Sequence, residues 1–312
     1  MISKPLPTVV GMVSVACLAA CGNYSNEDLD FQLALPQQSD IGANVQLSMA
    51  RLNSAEYYRD TRNAITTFNT MISDLLGLIE HVRGYPATAR QGNRRIWGPF
   101  PADKYPTTWQ VRMVMDRSSV SSTLLHMDYW VQVRPVGTDD SAWVSFMTGS
   151  YSSSGSARTG TGDIHLLAND ARVATYPVDD DPGLVKLDHM DVQYDNTTYP
   201  IRVTLTMVNL PDAETQSGTY DYSENQDGSG SMTFDWQGTT TDTGVPIAAK
   251  MKAQWLGSGA GRADATAHLT ATPDVSILLG TDCWGVDTVA SYSFRAGQTP
   301  VPPLNDPAAC LL

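Results

Sequence analysis

The chain has 312 residues, with 33 acidic against 20 basic side chains and a formal charge of −13. A surface of that sign repels nucleic acid and anionic lipid headgroups, so no nucleic-acid partner is expected and attachment to a membrane cannot come from charge. Acidity otherwise serves solubility.

The N-terminus carries one early positive charge, Lys4, an apolar run from Val9 to Cys17, and then Leu18-Ala19-Ala20-Cys21. Pro5, Pro7 and Gly11 interrupt the run, and its apolar part is shorter than the roughly 20 residues that span a bilayer. Small residues ending at a cysteine after a short apolar segment resemble the lipobox of bacterial lipoproteins. That resemblance implies that residues 1–20 are a signal peptide and that Cys21 is acylated, for instance with palmitate, and becomes the new N-terminus. Loss of residues 1–20 removes Lys4 and no acid, taking the formal charge from −13 to −14. Each buried methylene of an acyl chain contributes about 0.8 kcal/mol, so several chains anchor durably. Gly22 follows the cysteine where aspartate would favour retention in the inner membrane, so the resemblance implies the outer membrane.

Residues 21–46 read as the lipidated cysteine and a flexible, polar tether, interrupted by Pro36-Gln37-Gln38. Phe31, Leu33 and Leu35 alternate within it, which predicts a short strand docking back on the body. Residues 47–312 read as one β-rich domain. Its helical period lies at about 54–83, where Ile65, Phe68, Ile72, Leu75, Ile79 and Val82 form one stripe that Met71, Leu76 and Leu78 widen. Asn53 with Glu56 offers a cap, and Gly84 with Pro86 a stop.

After the helix the period changes to two. Trp109/Val111/Met113/Met115, Met127/Tyr129/Val131/Val133, Val144/Phe146, Ile164/Leu166, Met190/Val192/Tyr194 and Ile201/Val203/Leu205/Met207 alternate with polar residues, as do Met232/Phe234/Trp236, Ala249/Met251/Ala253/Trp255 and Ala263/Ala265/Ala267/Leu269. One dry and one wet face is the pattern of antiparallel strands, with turns at Gly137-Thr138-Asp139-Asp140, Asp195-Asn196 and Asp227-Gly228. The fold class expected is mainly β (α+β), with one large curved antiparallel sheet of about 10–11 strands packed on a single long N-terminal helix. Three glycine pairs, Gly160/Gly162, Gly228/Gly230 and Gly259/Gly261, each precede an alternating run and predict a bulge or a tight entry where the sheet coils sharply. Strands rather than helices follow them, which argues against phosphate cradles.

Catalytic patterns are missing: there is no GxSxG, no HExxH, and no SxxK with partners. His81, His126, His165, His189 and His268 are scattered, four of them at polar strand positions, and read as solvated. Asp179-Asp180-Asp181 and Asn225-Gln226-Asp227-Gly228 carry oxygen ligands of the kind calcium takes, but the second lacks the distal acid and reads as a hairpin turn. Arg262 and Asp264 read as a rim ion pair. No enzyme, cofactor or metal is expected from these residues. The suggestive feature is methionine: Met113, Met127, Met207, Met232 and Met251 fall on the inward face of strands and Met71 on the helix, a flexible lining suited to variable apolar partners. These six mark a candidate apolar cavity between sheet and helix, holding a lipid or another apolar ligand. The alternative is a solid core and a structural or interaction role.

Of the four cysteines, Cys17 leaves with the signal peptide and Cys21 takes lipid, so Cys283 and Cys310 remain and an oxidising compartment pairs them. A bridged loop of about 28 residues stabilises by roughly 3 kcal/mol in the chain-entropy model. Trp97-Gly98-Pro99, the run Gly259-Ala260-Gly261-Arg262-Ala263-Asp264, Cys283-Trp284 and Cys310 together resemble a family of uncharacterised myxobacterial-type outer-membrane lipoproteins. The expected architecture is weakly similar to the LolA/LolB/LppX lipid-carrier class, none of whose sequence motifs is present.

Overall fold

The structure is a computed structural model that describes residues 26–43, 54–83, 85–102, 108–119, 125–156, 158–180, 184–213, 215–239, 244–272, 275–298, 308 and 310. The lipobox with Cys21, the cap residue Asn53, the stop residue Gly84 and Asp181 lie outside the described residues, as do the side chains of Leu78, His81 and Val82.

Fourteen strands follow one another in chain order, each pairing antiparallel with the next. They are β1 (Ala89–Gln91), β2 (Arg94–Pro101), β3 (Trp109–Ser119), β4 (Leu125–Pro135), β5 (Val144–Ser156), β6 (Thr159–Leu166) and β7 (Leu187–Asp195). The second half adds β8 (Ile201–Asn209), β9 (Thr215–Glu224), β10 (Gly230–Thr239), β11 (Pro246–Trp255), β12 (Gly261–Leu269), β13 (Ile277–Trp284) and β14 (Ala290–Arg295). The expected 10–11 strands thus become 14. The additional ones lack an apolar alternation: β1 has three residues, β2 turns Arg95 inward and contains two prolines, β9 carries tyrosines among Ser, Thr and Gly, and β13 is buried along its second half whatever the side chain.

Helices are α1 (Asn26–Leu33), α2 (Gln38–Ile41), α3 (Glu56–Arg83) and α4 (Ala168–Val173). The expectation of a single helix is therefore corrected: α3, with 28 residues, is one of four among the described residues. Ile65, Phe68, Ile72, Leu75, Leu76 and Ile79 are buried along it, each contributing about 1.5–3 kcal/mol of apolar transfer. Its N-terminus is clipped to the last hairpin, where Ser54 bridges Val289 and the Ala55 N–H donates to the Thr288 carbonyl at 3.0 Å. Just beyond its C-terminus, the Tyr85 carbonyl accepts from Trp97 Nε1 on β2 at 3.0 Å. A rod about 42 Å long thus joins strands that would lie about 53 Å apart in a flat sheet. The sheet between them bows around the helix.

The segment expected as a tether is also folded where it is described. Asp28 and Phe31 on α1 are buried, as is Leu35 just beyond its end, while Leu33 points outward. Asp28 is fully buried, receiving Arg90 Nη2 at 2.7 Å and Arg95 Nε at 2.8 Å. Arg95, itself 3% exposed, also donates to Glu27 at 2.6 Å and to the Gly92 and Arg94 carbonyls. On α2, Asp40 receives Arg158 at 2.6 Å. Asn69 of α3 bonds both backbone groups of Ala43, at 2.8 and 2.9 Å. These contacts pin 26–43 inside the bowed sheet, and the predicted strand at Phe31–Leu35 is instead the last turn of α1 and the turn that follows it.

Cys283 and Cys310 form a disulfide, with their Cα atoms 5.4 Å apart. It ties residue 310 to β13 beside the helix clip.

Candidate functional site

One row of inward-facing residues crosses the sheet: Trp97, Met113, Val131, Met147, Leu166, Met190, Met207, Gly218, Trp236, Ala249, Ala267 and Ile277 are successive register partners from β2 to β13. In its first half the side chains are large and closely packed. From β9 onward Gly218, Ala249 and Ala267 enter the row, and the neighbouring row, Tyr220, Phe234, Met251, Ala265, Gly280, turns small at β12 and β13. Small side chains under a straight helix leave a gap that the rest of the core fills.

That gap is a half-open cleft of about 370 Å³. Tyr220, Phe234, Trp236, Ala249, Met251, Ala265 and Leu279 line it from the strands together with the polar Lys250 and Thr266, and Asp60, Asn63, Ala64 and Thr67 from α3. Tyr220 and Phe234 meet with ring centroids 4.5 Å apart, and Tyr220 also contacts Phe68 at 6.0 Å. Burial raises the Tyr220 phenol above its ordinary pKa. On α3 the Asp60 carboxyl is raised as well, by desolvation first and then by Glu56, with Arg59 and Arg295 opposing.

The N-terminal end of α3, at the edge of this cleft, is held by a buried carboxylate. Asp282 of β13 is 1% exposed, accepts the Tyr57 backbone N–H at 2.9 Å, and takes Arg295 Nη1 and Nη2 at 2.8 and 2.9 Å. Desolvation pushes this carboxyl up, but hydrogen bonds from Arg295, the Tyr57 N–H and Ser293 outweigh it and hold the pKa below the usual aspartate value. Arg295 also reaches Glu56 at 3.0 Å and stacks over the Tyr57 ring at 4.1 Å. The Tyr57 N–H in the first turn of α3 is thus capped from β13, and Glu56 serves as an ion-pair partner of Arg295.

Of the six methionines expected around a cavity, Met251 alone lines the cleft. Met113, Met127 and Met232 lie in the closed core at 1, 0 and 2% exposure, and Met71 and Met207 pack partly buried against it. The methionine-rich half of the sheet is solid; the opening lies where alanine and glycine replace methionine, a signal present in the Ala249–Ala267 run.

Other candidates resolve individually. Three of the supposedly scattered histidines share the outer face of β4–β7: His165 Nδ1 lies 2.6 Å from Asp191 and its Nε2 3.2 Å from Asp163, while His189 Nδ1 lies 2.7 Å from Asp188. His126 sits between Ser152, at 2.8 Å, and Asp128, at 3.2 Å. These residues are partly exposed on a continuous ladder whose backbone N–H groups are engaged with neighbouring strands, so no donors are grouped there for an oxyanion. His268 is half-buried. Asp227 accepts from the Ser229 N–H and hydroxyl at 3.0 and 2.6 Å, which makes residues 225–229 a hairpin turn. Arg262 and Asp264 pair at 2.9 Å on the outer face. Asp179 receives Arg172 at 2.9 Å.

Among the described residues no helix is long and apolar enough to cross a membrane. Comparison with protein-family models, with curated proteins and with solved structures finds no match.

Proposed function

We propose that the chain is an extracytoplasmic lipoprotein, held at the outer membrane by acyl chains on Cys21, whose body binds a lipid or another apolar ligand in the cleft between α3 and strands β9–β13. The observation that carries the reading is the cleft itself, of about 370 Å³ with aromatic and small apolar walls and the polar helix residues Asp60 and Asn63 along one side. Ligand sites of this size combine an apolar lining with a few placed polar groups. An acyl chain would lie along the Ala249 and Ala265 floor against Phe234 and Trp236, with its polar end toward Asp60 and Asn63.

A second reading, an anchored interaction module without a ligand, is supported by the closed packing around Met113, Met127 and Met232. Native mass spectrometry of the full chain after gentle detergent extraction separates the two. A co-purified mass beyond the anchor supports the cleft reading, and a bare acylated mass supports the second. Incorporation of a palmitate analogue that disappears in Cys21→Ser tests the anchor independently of either.

A further inference from the structure

The outer face of β2–β4 carries a second depression, of about 300 Å³, far from the helix and unrelated to the cleft. Register defines it. Ile96, Val114 and Trp130 are successive partners and form an apolar floor. Two residues along the strands, about 7 Å to one side, Arg94 pairs with Asp116; at the same distance on the other side, Arg112 pairs with Gln132.

Three guanidinium groups gather here, and two of them are neutralised. Arg94 makes a bidentate pair with Asp116, both contacts at 2.6 Å, and Arg134 takes Asp140 at 2.9 Å. Arg112 has no carboxylate partner among the described residues; its Nε donates to the Gln132 amide oxygen at 2.8 Å, leaving the two Nη groups for the depression. Trp143 fixes the group in place, its ring lying 4.2 Å from Arg112 and 4.4 Å from Arg134. Burial lowers the Arg112 pKa, Asp140 opposes it, and Arg134 and Arg94 add smaller lowering contributions. A positive group held still by stacking, with its fork open and an indole two residues away, is arranged for a planar anion. In a chain of net charge −13, one uncompensated arginine on an apolar floor is a local exception.

We propose that this depression binds the carboxylate or phosphate of a ring-bearing ligand, the anion on the Arg112 Nη groups and the ring against Trp130 and Ile96. Acidic sugars and aromatic acids share this chemistry, so the test uses one of each. Isothermal titration of the full chain is run with glucuronate and benzoate, and with glucose and inorganic phosphate as the ring without charge and the charge without ring. The expected result is binding of at least one ring anion, with glucose and phosphate weaker by roughly tenfold or more; whichever ring anion binds identifies the source. Arg112→Gln is expected to weaken it at least about tenfold, and Trp130→Ala severalfold. Ile96→Glu places a carboxylate beside Arg112 on the exposed face and is expected to abolish binding with the fold unchanged by circular dichroism, which keeps the test sound if loss of Arg112 disturbs Trp143. Absence of binding by both ring anions would overturn the proposal, as would binding indifferent to Ile96→Glu or inorganic phosphate matching the ring anions.

Discussion

Trp284 on β13 covers Gly261, its register partner on β12, and donates its indole N–H to the Gly259 carbonyl at 3.0 Å. The same arrangement occurs once more: Trp255 on β11 covers Gly230 on β10 and donates to the Gly228 carbonyl at 3.1 Å. The first glycine of each pair has φ near +80 to +90°, a turn conformation that L side chains rarely adopt, and the second leaves room for the ring. Gly162, beneath Tyr194, and Gly149, beneath Tyr129, repeat the second half of the device. At two of the three glycine pairs, Gly228/Gly230 and Gly259/Gly261, the expected bulge is instead a seat for an indole from the neighbouring strand, whereas a register shift does lie beside Gly160, opposite Ser153–Ser156.

Gly261→Ala is expected to destabilise the fold by about 1–3 kcal/mol. A Cβ there would stand 2.5 Å from the Trp284 ring and 2.6 Å from the Gln254 carbonyl oxygen, and the backbone cannot give way as a flexible side chain would. Urea denaturation followed by tryptophan fluorescence reads the loss.

Asp282→Asn should cost about 3 kcal/mol at neutral pH, because it leaves Arg295 without its buried counter-charge and weakens the cap on α3. The sign of the pH effect follows from the depressed pKa: stability from this carboxylate is complete above the unfolded value near pH 4 and is lost as pH falls through the folded value. Acid unfolding of the variant is thus expected to be shallower than that of the parent below about pH 4.

Asp28→Asn removes the charge that holds Arg90 and Arg95 against α1. The expected outcome is local: faster proteolysis within residues 26–43 and little change in the sheet, since this segment is tied to the rest mainly through Asp28, Phe31, Asp40 and Asn69. Mass spectrometry of the limited digest reports where cutting begins.

Filling the cleft should block an apolar ligand without harming the fold. Ala249→Phe with Ala265→Leu occupies space that the parent leaves open. Stability is expected within about 1 kcal/mol of the parent, while uptake of an environment-sensitive naphthylamine dye falls severalfold.

Cys310→Ser is expected to lower stability by roughly 3 kcal/mol under oxidising conditions and by nothing under reducing ones. Thermal melts with and without reductant check both arms.

Much of the molecule was legible locally. The spacing Ile65, Phe68, Ile72, Leu75, Ile79 marks a helical stripe, and the alternation in 125–134 matches the observed burial of Met127, Tyr129, Val131 and Val133. What misled was composition read without partners. Phe31 and Leu35 belong to a helical spacing with Asp28 once Asp28 counts as buried and Leu33 as exposed, and Asp28 counts as buried only because two arginines some 60 residues away come to it. Methionine is flexible enough to line a cavity, as Met251 does, but flexible side chains also fill gaps well, as Met113, Met127 and Met232 do.

The amino-acid sequence by itself determined the periods, the turns and the order of the strands along the chain, because these depend on neighbours within a few residues and on next-neighbour pairing. Only the tertiary structure decided where the cleft opens, which carboxylate caps α3 and that Arg112 stacks on Trp143 with an amide rather than a carboxylate as its hydrogen-bond partner. Each of those depends on side chains brought together across strand register from segments far apart, such as Tyr57 and Asp282, separated by 225 residues. Burial then reverses the meaning of a charge that local patterning assigns to solvent.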